Sequence, residues 1–478
     1  MKYRLPRNEL VGTASIAIYG TGEIAHQYMD QLEESGEENR VVCFVNTYPS
    51  ECKKVRGKPV FSLEDVQNRE TSREWLFLIA SYGSAQYIAD GLRGIGIEED
   101  KIVLPAAAAM GGETAYFPLL RRPVQHLVIY PRIEDEAADR DMEARLDWYL
   151  PTRKELTVFK PGSAANDQEW LQHFEASDLI LVWQQQRLGD RLLEPFKQKI
   201  VCVDPEYSTT LEILTYIRLH YRTLAPEQRK ALLDQYVANF MRMKERFSGS
   251  RLAYVFGTGP SLEKAWEEAF ETSSVKIVCN SIVKNPDLVK RLDPDILVYS
   301  DPLWHSHTRY GVDFRKKVVE FLSVPGRYCV VPEMNAALLL GHYPELQDRI
   351  IGIPVVSPSF NFPSAASFTV METYNVITRL GLTVASSLAG TVHIMGCDGS
   401  PRKDVAWWKR SSLLQEDTVQ DEVRRAHESF FRLNTAADYF DRHNDFMERL
   451  IEYGESQGIT YRSITPSYIP ALSKREIR

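Results

Sequence analysis

Short apolar runs alternate with amphipathic segments between residues 12 and 106. The run SIAIYG (15–20) precedes EIAHQYMDQLEES (23–35), whose apolar positions recur at helical spacing. Three further runs are as short and as apolar as the first: RVVCFVN (40–46), EWLFLIAS (74–81) and KIVLP (101–105). Strands that alternate with helices pair in parallel, so this region predicts a doubly wound sheet.

A second series of β-branched apolar runs follows, as expected of strands covered on both faces. Its members are HLVIY (126–130), ELTVFK (155–160), DLILVW (178–183) and KIVCVD (199–204). A long helical tract then runs from Thr209 to Phe247, and Pro226 stands at a helix start within it, where its missing N–H is not needed. We interpret this tract as a connector to a third unit.

The third unit shows the same alternation from about residue 250 to 470. Its strand-like runs are LAYVFG (252–257), VKIVCN (275–280), DILVYSD (295–301), RYCVVPE (327–333), TVHIMGCD (391–398) and a closing ITYRSITP (459–466). The predicted fold class is α/β, with several domains built on Rossmann-like, doubly wound parallel sheets. We expect a Rossmann-like domain over residues 1–110, a middle α/β domain with the helical connector over 111–248, and a nucleotide-binding catalytic domain over 249–478.

The composition narrows the classes of function. A chain of 478 residues is too long for one core, and 44% hydrophobic with 26% charged residues is typical of a globular protein. The net charge of -8 argues against nucleic acid as a partner. The N-terminus lacks a signal-peptide core and no run of about 18 apolar residues occurs, so we expect a cytoplasmic protein without a transmembrane segment. The six cysteines form no CxxC pair, which favours buried thiols over a metal site. The sequence does not indicate an oligomeric state.

Two glycine loops each follow a predicted strand. The first, YGTGEIA (19–25), supplies two glycines of the dinucleotide fingerprint, with Ala25 near the third position. Asn46, however, stands where a nicotinamide-binding domain usually has an acidic residue for the ribose. This loop is therefore more typical of a structural turn, with a nucleotide or sugar-nucleotide site as the alternative.

The second loop lies in RLAYVFGTGPSLEKAWEE (251–268) and continues into a helix that begins at Pro260. Free N–H groups in the first helical turn favour an anion, and Gly257 and Gly259 let a phosphate or ribose approach the backbone. Ser261 can cap the helix or donate its hydroxyl. The alternative is a tight strand-to-helix turn without a ligand.

Polar residues also end three of the predicted strands of this unit. They are Asn280, Asp301 and Asp398. In an open α/β sheet the carboxyl ends of the strands border the ligand crevice, so these side chains are expected to converge with the loop at Gly257.

These motifs carry a resemblance that covers about 220 residues. GTGPSL, then CN, SDP and HIMGCDG, is similar to a pattern shared by the bacterial sialyltransferases of glycosyltransferase family 42, the flagellin-modifying motility accessory factors and the archaeal 6-hydroxymethylpterin diphosphokinases. The resemblance implies a GT-A-variant-like domain that transfers a nonulosonic or related acid sugar from a CMP-activated donor without a metal. It implies donor contacts at Gly257, Thr258, Gly259, Pro260, Ser261 and Asn280, and we expect Asp301, Thr378, Gly396 and Asp398 in the same site.

The sialyltransferases use a histidine base between the GxD strand and the final strand. The resemblance favours His443, just before the last amphipathic helix, with His427 second and a solvated helix-start histidine as the alternative. ETYNVITRLGLTVASSLAG (372–390) departs from the family's Ser-Gly helix start, so the donor-phosphate hydroxyl is Thr373, Thr378 or neither. The tyrosines that assist the leaving group have no clear counterpart; those available are Tyr299, Tyr310 and Tyr468.

Other readings stay open. A pterin diphosphokinase would need ATP and Mg²⁺ held by carboxylates such as Asp301 and Asp398. A non-catalytic sugar-nucleotide-binding protein would show no dependence on His443, and a dehydrogenase built on Gly20 is a more distant alternative.

The first region, with GKPVFSLEDV (57–66), resembles sugar-nucleotide-binding Rossmann domains attached to bacterial glycosyltransferases and acyltransferases. This resemblance implies surface-polysaccharide synthesis and a glycan or protein acceptor.

Overall fold

The computed structural model divides into two compact units. The first contains residues 1–144 and 153–207, and the second contains residues 145–152 and 208–478. The described residues are 5–6, 10, 14–47, 53–80, 85–104, 124–151, 156–160, 165–183, 185–203, 210–357, 359–373, 375–400, 411–414 and 436–476. The predicted boundary near residue 110 lies outside them, and the one near 248 falls inside the second unit. The three-domain division stays a prediction.

The first unit contains two sheets. The first has the order β3-β4-β2-β1-β5-β6 and is parallel except for the hairpin of β3 and β4. Its strands are β1 (Ile16–Tyr19), β2 (Val41–Asn46), β3 (Lys54–Val55), β4 (Lys58–Ser62), β5 (Leu76–Ile79) and β6 (Ile102–Val103). Its helices are α1 (Glu23–Glu34), α2 (Leu63–Gln67) and α3 (Ala85–Gly94).

The second sheet of this unit has the order β10-β9-β7-β8 and is entirely parallel. Its strands are β7 (His126–Tyr130), β8 (Thr157–Phe159), β9 (Leu179–Val182) and β10 (Ile200–Cys202). Helices α4 (Glu136–Tyr149) and α5 (Asp167–Ala176) accompany it, and the end of α4 belongs to the second unit. Trp170 and Phe174 of α5 pack their ring edges against Tyr130, which buries the apolar side of the helix.

The second unit contains one parallel sheet of seven strands in the order β15-β14-β13-β12-β11-β16-β17. The strands are β11 (Leu252–Phe256), β12 (Val275–Cys279), β13 (Ile296–Val298), β14 (Tyr328–Pro332), β15 (Ile350–Ile353), β16 (Thr391–Met395) and β17 (Thr460–Ser463). The helices are α6 (Thr210–Thr223), α7 (Pro226–Arg246), α8 (Pro286–Leu292), α9 (Arg309–Ser323), α10 (Glu333–His342), α11 (Leu382–Leu388), α12 (Ala436–Ser456) and α13 (Pro470–Ser473). Strands β12 to β15 are therefore added in turn on one side of β11, and β16 and β17 are added on its other side. The strand order reverses between β11 and β16.

The α/β fold class and every strand predicted from the apolar runs are confirmed. The sequence analysis missed β15, whose run RIIGIP is short and ends at a proline, and the short hairpin of β3 and β4. Within the segment 372–390, which departs from the family pattern, residues 377–381 form a π-helix that continues into α11. In the part of the chain described, no helix combines the length and apolar character needed to cross a bilayer.

Two histidines are completely buried in the second unit. His305 is 0% exposed and stacks on Tyr299, and His220 of α6 is 1% exposed. Burial lowers the pKa of His305 to about 3 and that of His220 to about 4. Both rings are therefore neutral in the folded protein at pH values where an exposed histidine is protonated.

We expect the free energy of unfolding to fall as the pH is lowered from about 6.5 toward 4. In this window the histidines of the unfolded chain bind protons that the folded protein excludes. Each histidine therefore lowers the free energy of unfolding by at most about 1.4 kcal/mol per pH unit. Urea denaturation at several pH values measures the slope. His305→Phe, which keeps a ring against Tyr299, should have a shallower slope than the wild type; identical slopes would contradict this account.

Candidate functional site

The reversal point of the third sheet brings two predicted segments together. Gly257 follows β11 and donates its N–H to the Met395 carbonyl at 2.7 Å; Gly259 donates to the Gly396 carbonyl at 2.8 Å. Ligands of open α/β sheets bind outside the carboxyl ends of the strands at such a reversal point. The glycine loop and the MGCDG segment therefore lie at the expected position for a site.

The close approach of these segments requires glycine on both sides. A Cβ on Gly257 would lie 2.4 Å from the Gly396 carbonyl oxygen, and a Cβ on Gly396 would lie 2.4 Å from that of Gly257. Gly396 also has a φ of 71°, in the left-handed region that favours glycine. Packing between the two backbones thus accounts for these two glycines.

The start of the loop helix differs from the prediction. Residues 260–266 form a 3₁₀-helix with Pro260 in its first turn, and the Ser261 N–H donates to both oxygens of Asp398, at 3.1 and 3.2 Å. A Cβ on Gly259 would lie 2.1 Å from Oδ2 of Asp398. The amide expected to hold a phosphate is therefore occupied by a carboxylate of the same chain. Asp398 lies 137 residues from Ser261, so local sequence carried no signal for this contact.

Asp398 itself is half-buried at the end of β16. Burial raises the pKa of its carboxyl group, and the hydrogen bonds from Ser261 oppose that effect. The Ser261 hydroxyl also donates to the hydroxyl of Thr465, at 2.9 Å. A ligand at this loop consequently meets a carboxylate, which accepts hydrogen bonds and disfavours a second anion.

Asn280, predicted at the end of β12, adopts the left-handed backbone conformation with a φ of 49°. Its Oδ1 is buried and has no hydrogen-bond partner among the residues that the structure describes. Buried polar atoms are normally paired, and residues in unusual conformations cluster at functional sites. Asn280 is therefore the clearest candidate in this unit for contact with a ligand.

The segment Ser411–Leu414 crosses the glycine loop. The Ser411 N–H donates to the Thr258 carbonyl at 2.8 Å, and the Ser412 N–H and hydroxyl donate to Glu263 at 2.9 and 2.7 Å. Hydrogen bonds from Ser412 lower the pKa of Glu263. Leu413 accepts a hydrogen bond from Asn285, which lies just beyond the Asn280 turn. His427, the second choice for the base, lies outside the described residues.

Asp301 lies after β13 and caps the 3₁₀-helix Pro302–His305 through the Leu303 N–H, at 3.0 Å. Its charge also reaches Tyr439 of α12: burial is the main cause of the raised Tyr439 pKa, and Asp301 adds to it. The Tyr439 hydroxyl accepts a hydrogen bond from Asn375 at 3.1 Å. The first turn of α12 is thus hydrogen-bonded to the segment that precedes the π-helix at residues 377–381.

His443 lies one turn after Tyr439, and their rings stack with centroids 6.2 Å apart at 10°. The expectation that His443 stands just before the last helix is wrong, because α12 begins at Ala436 and the helical pattern of AADYF extends the helix upstream. Its Nδ1 is buried without a hydrogen-bond partner in the described part of the chain. Burial lowers the pKa of His443 to about 4, so the ring is a neutral acceptor near pH 7.

The remaining predicted residues are placed as follows. Thr378 is 0% exposed in the π-helix, and its hydroxyl is 2.8 Å from that of Thr373, which is also buried. Tyr299 and Tyr310 are buried, whereas Tyr468 is 64% exposed and donates its N–H to the Asp398 carbonyl at 2.7 Å. Each threonine hydroxyl has its partner within the protein.

The first glycine loop differs from the second. Gly20 has a φ of 117°, and Gly22 caps the regular helix α1 without a side-chain hydrogen bond. The Thr21 hydroxyl donates to Oδ1 of Asn46 at 3.3 Å. Residues 48–52 and 81–84, which follow the neighbouring strands, lie outside the described part of the chain. The sequence patterns of the two loops are similar, but at the helix start of the second loop the structure shows a backbone N–H, that of Ser261, bonded to the carboxylate of Asp398.

Across the described residues, no group of three or more His, Cys, Asp or Glu side chains is arranged to hold a metal ion. The cysteines of β2, β10, β12 and β14 are buried within their strands. At the carboxyl edge of the sheet Asn280 and Asp398 can form hydrogen bonds with a ligand, and His443 of α12 is a neutral proton acceptor.

Comparisons with known proteins do not assign this chain to a family. No protein-family model matches the chain, and no curated protein matches it. Among solved structures, one described as "Nitrogenase Cp1 at pH 6.5" matches at 11% identity over 75% of this chain and 86% of that chain, with a TM-score of 0.16. A score this low carries no argument about fold or function.

Proposed function

We propose that this chain is a glycosyltransferase that transfers an acid sugar from a CMP-activated donor to a hydroxyl group of a glycan or protein acceptor. The motif resemblance of residues 250–470 supports the donor class. The observation that carries the proposal is His443: a neutral imidazole, stacked on Tyr439, with a buried Nδ1 that has no partner among the described residues.

In this reaction the acceptor oxygen forms a bond to the anomeric carbon of the donor sugar while the bond from that carbon to the phosphate oxygen breaks. CMP leaves with the electron pair of that bond. The acceptor hydroxyl loses its proton to Nδ1 of His443, a role that a neutral imidazole can fill. The phosphate and the sugar carboxylate of the donor are anionic, so a bound donor raises the pKa of His443 from its low value toward the working range.

The hydrogen bond between Ser261 and Asp398 determines which part of the donor, the ribose or the phosphate, we place at the glycine loop. A carboxylate accepts hydrogen bonds from vicinal ribose hydroxyls and repels a phosphate, so we assign Asp398 to the ribose. Asn280 then accepts a hydrogen bond from a donor group of the nucleotide, such as the cytosine amino group. The same site in a cytoplasmic protein would serve synthesis of a surface polysaccharide or modification of a surface protein.

Thermal denaturation with CMP, CDP, UDP, GDP, ATP and NAD tests the donor class. CMP or CDP should stabilise the protein by about 2.7 kcal/mol at a hundredfold excess over the dissociation constant. Stabilisation by ATP alone would instead favour the diphosphokinase alternative, and by NAD alone a dehydrogenase. No response to any of the six would remove the nucleotide site from this account.

A further inference from the structure

A shallow groove of about 480 Å³ lies elsewhere on the second unit. Its lining includes Gly390, which precedes β16, and Ile459, which precedes β17. Because the strands are parallel, the groove lies at the amino edge of the sheet, opposite the edge that carries Gly257 and Asp398. It is therefore separate from the proposed donor site, and its volume is in the range of small-ligand sites.

Aromatic rings form one wall of this groove. Phe362 and Tyr453 line it with centroids 5.0 Å apart and planes at 53°. The ring centroid of Phe360, which is not part of the lining, is 6.4 Å from that of Tyr453. The face of an aromatic ring carries partial negative charge and attracts the C–H groups of a pyranose ring, whose hydroxyls point outward from the same plane.

Two helices end at the groove. Helix α11 ends at Leu388 and α12 ends at Ser456, and neither has a basic residue in its last turn. The last carbonyl groups of a helix have no partner within the helix and carry partial negative charge. The last carbonyls of α12 already accept the N–H groups of residues 457–459, so the end of α11 supplies the acceptors for hydroxyl protons. The partial negative charge of both helix ends disfavours an anionic ligand such as a phosphate.

The other polar groups of the lining are neutral. Asn361, Gln457 and Ser387 supply amides and a hydroxyl, and no Asp, Glu, Lys or Arg is among the described residues that line the groove. The Asn361 side chain is held in place because its Nδ2 donates to the carbonyls of Ser367 and Thr369, at 3.0 and 2.8 Å. A cationic ligand would find no carboxylate here.

We propose that this groove binds a neutral pyranose unit of a glycan at a distance from the donor site. The ring stacks on Tyr453, against which Phe362 packs, and its hydroxyls donate to the carbonyls at the end of α11. Such a site would hold a growing or acceptor chain on the enzyme surface while another part of the chain reacts.

Saturation-transfer NMR with lactose, maltose and chitobiose as probes tests this site. A Cβ on Gly390 meets nothing within 4 Å, so Gly390→Phe fills the groove without a clash at the backbone. Gly249→Phe is the matched control, since a Cβ there also meets nothing within 4 Å and the position lies outside the groove. We expect saturable binding of at least one disaccharide to the wild type and the control, weakened at least tenfold in Gly390→Phe and about tenfold in Tyr453→Ala.

The proposal is overturned if none of the three disaccharides binds, if Gly390→Phe binds as the wild type does, or if only glucosamine or glucose 6-phosphate binds. Circular dichroism verifies that each variant is folded. Stabilisation by CMP should be equal in Gly390→Phe and the wild type, so failure of the groove and failure of the donor site give different results.

Discussion

Replacement of His443 by glutamine is expected to lower kcat for sugar transfer by roughly 10²–10⁴-fold with little change in the KM for the CMP donor. Glutamine keeps a polar side chain of similar length in α12 but cannot take a proton near pH 7. A general base acts in the transition state, so its loss reduces kcat and leaves ground-state binding of the nucleotide intact. Initial rates with a CMP-activated acid sugar, together with the melting temperature of the variant, measure the effect.

The pH dependence separates a base from a structural histidine. In the free enzyme burial lowers the pKa of His443 to about 4, so kcat/KM should fall only as the pH drops toward that value. The anionic donor raises the pKa in the complex, so kcat should begin to fall at a higher pH. A folded His443→Gln enzyme that retains full kcat, or one whose kcat falls with pH as the wild type's does, would remove this residue from the mechanism.

The second large effect is expected for Gly396→Ala, which should lower the free energy of unfolding by about 3 kcal/mol. The new Cβ would lie 2.4 Å from the Gly257 carbonyl oxygen, and the φ of 71° is unfavourable for alanine. Neither backbone can move without disturbing the pairing of β11 with β16. Urea denaturation measures the loss.

Gly249→Ala is the control for this comparison. A Cβ at Gly249 meets nothing within 4 Å and the residue has no positive φ, so its stability should stay within about 1 kcal/mol of the wild type. Equal losses in the two variants would show that the approach of Gly257 to Gly396 is not the constraint described above.

The apolar runs predicted the strands of the second unit because each buried parallel strand is a continuous hydrophobic segment. The residues at the strand ends, Asn280, Asp301 and Asp398, could be named for the same reason. Chain order alone then places them on one edge of the sheet. β15 escaped prediction because RIIGIP offers only a few residues before a proline.

The parts that could not be predicted depend on contacts between distant residues or on helix geometry. The Ser261 amide bonds to Asp398 across 137 residues, and no local pattern distinguishes an amide open to phosphate from one already paired. The π-helix at residues 377–381 has no signature in the apolar pattern, and the hydrogen bond between the hydroxyls of Thr373 and Thr378 could not be foreseen. His443 lies inside α12 and not before it, because the helix extends upstream to Ala436.

Calorimetric titration of CMP into the wild type, Asn280→Gly and Asp293→Gly tests the central claim most directly. Asn280 and Asp293 both have left-handed backbones, with φ of 49° and 44°, so glycine is tolerated at each position. Only the substitution of Asn280 removes a buried acceptor of the proposed site. The account predicts that CMP binds the wild type and Asp293→Gly equally and binds Asn280→Gly at least tenfold more weakly. Equal binding to all three proteins, or no binding to the wild type, would contradict it.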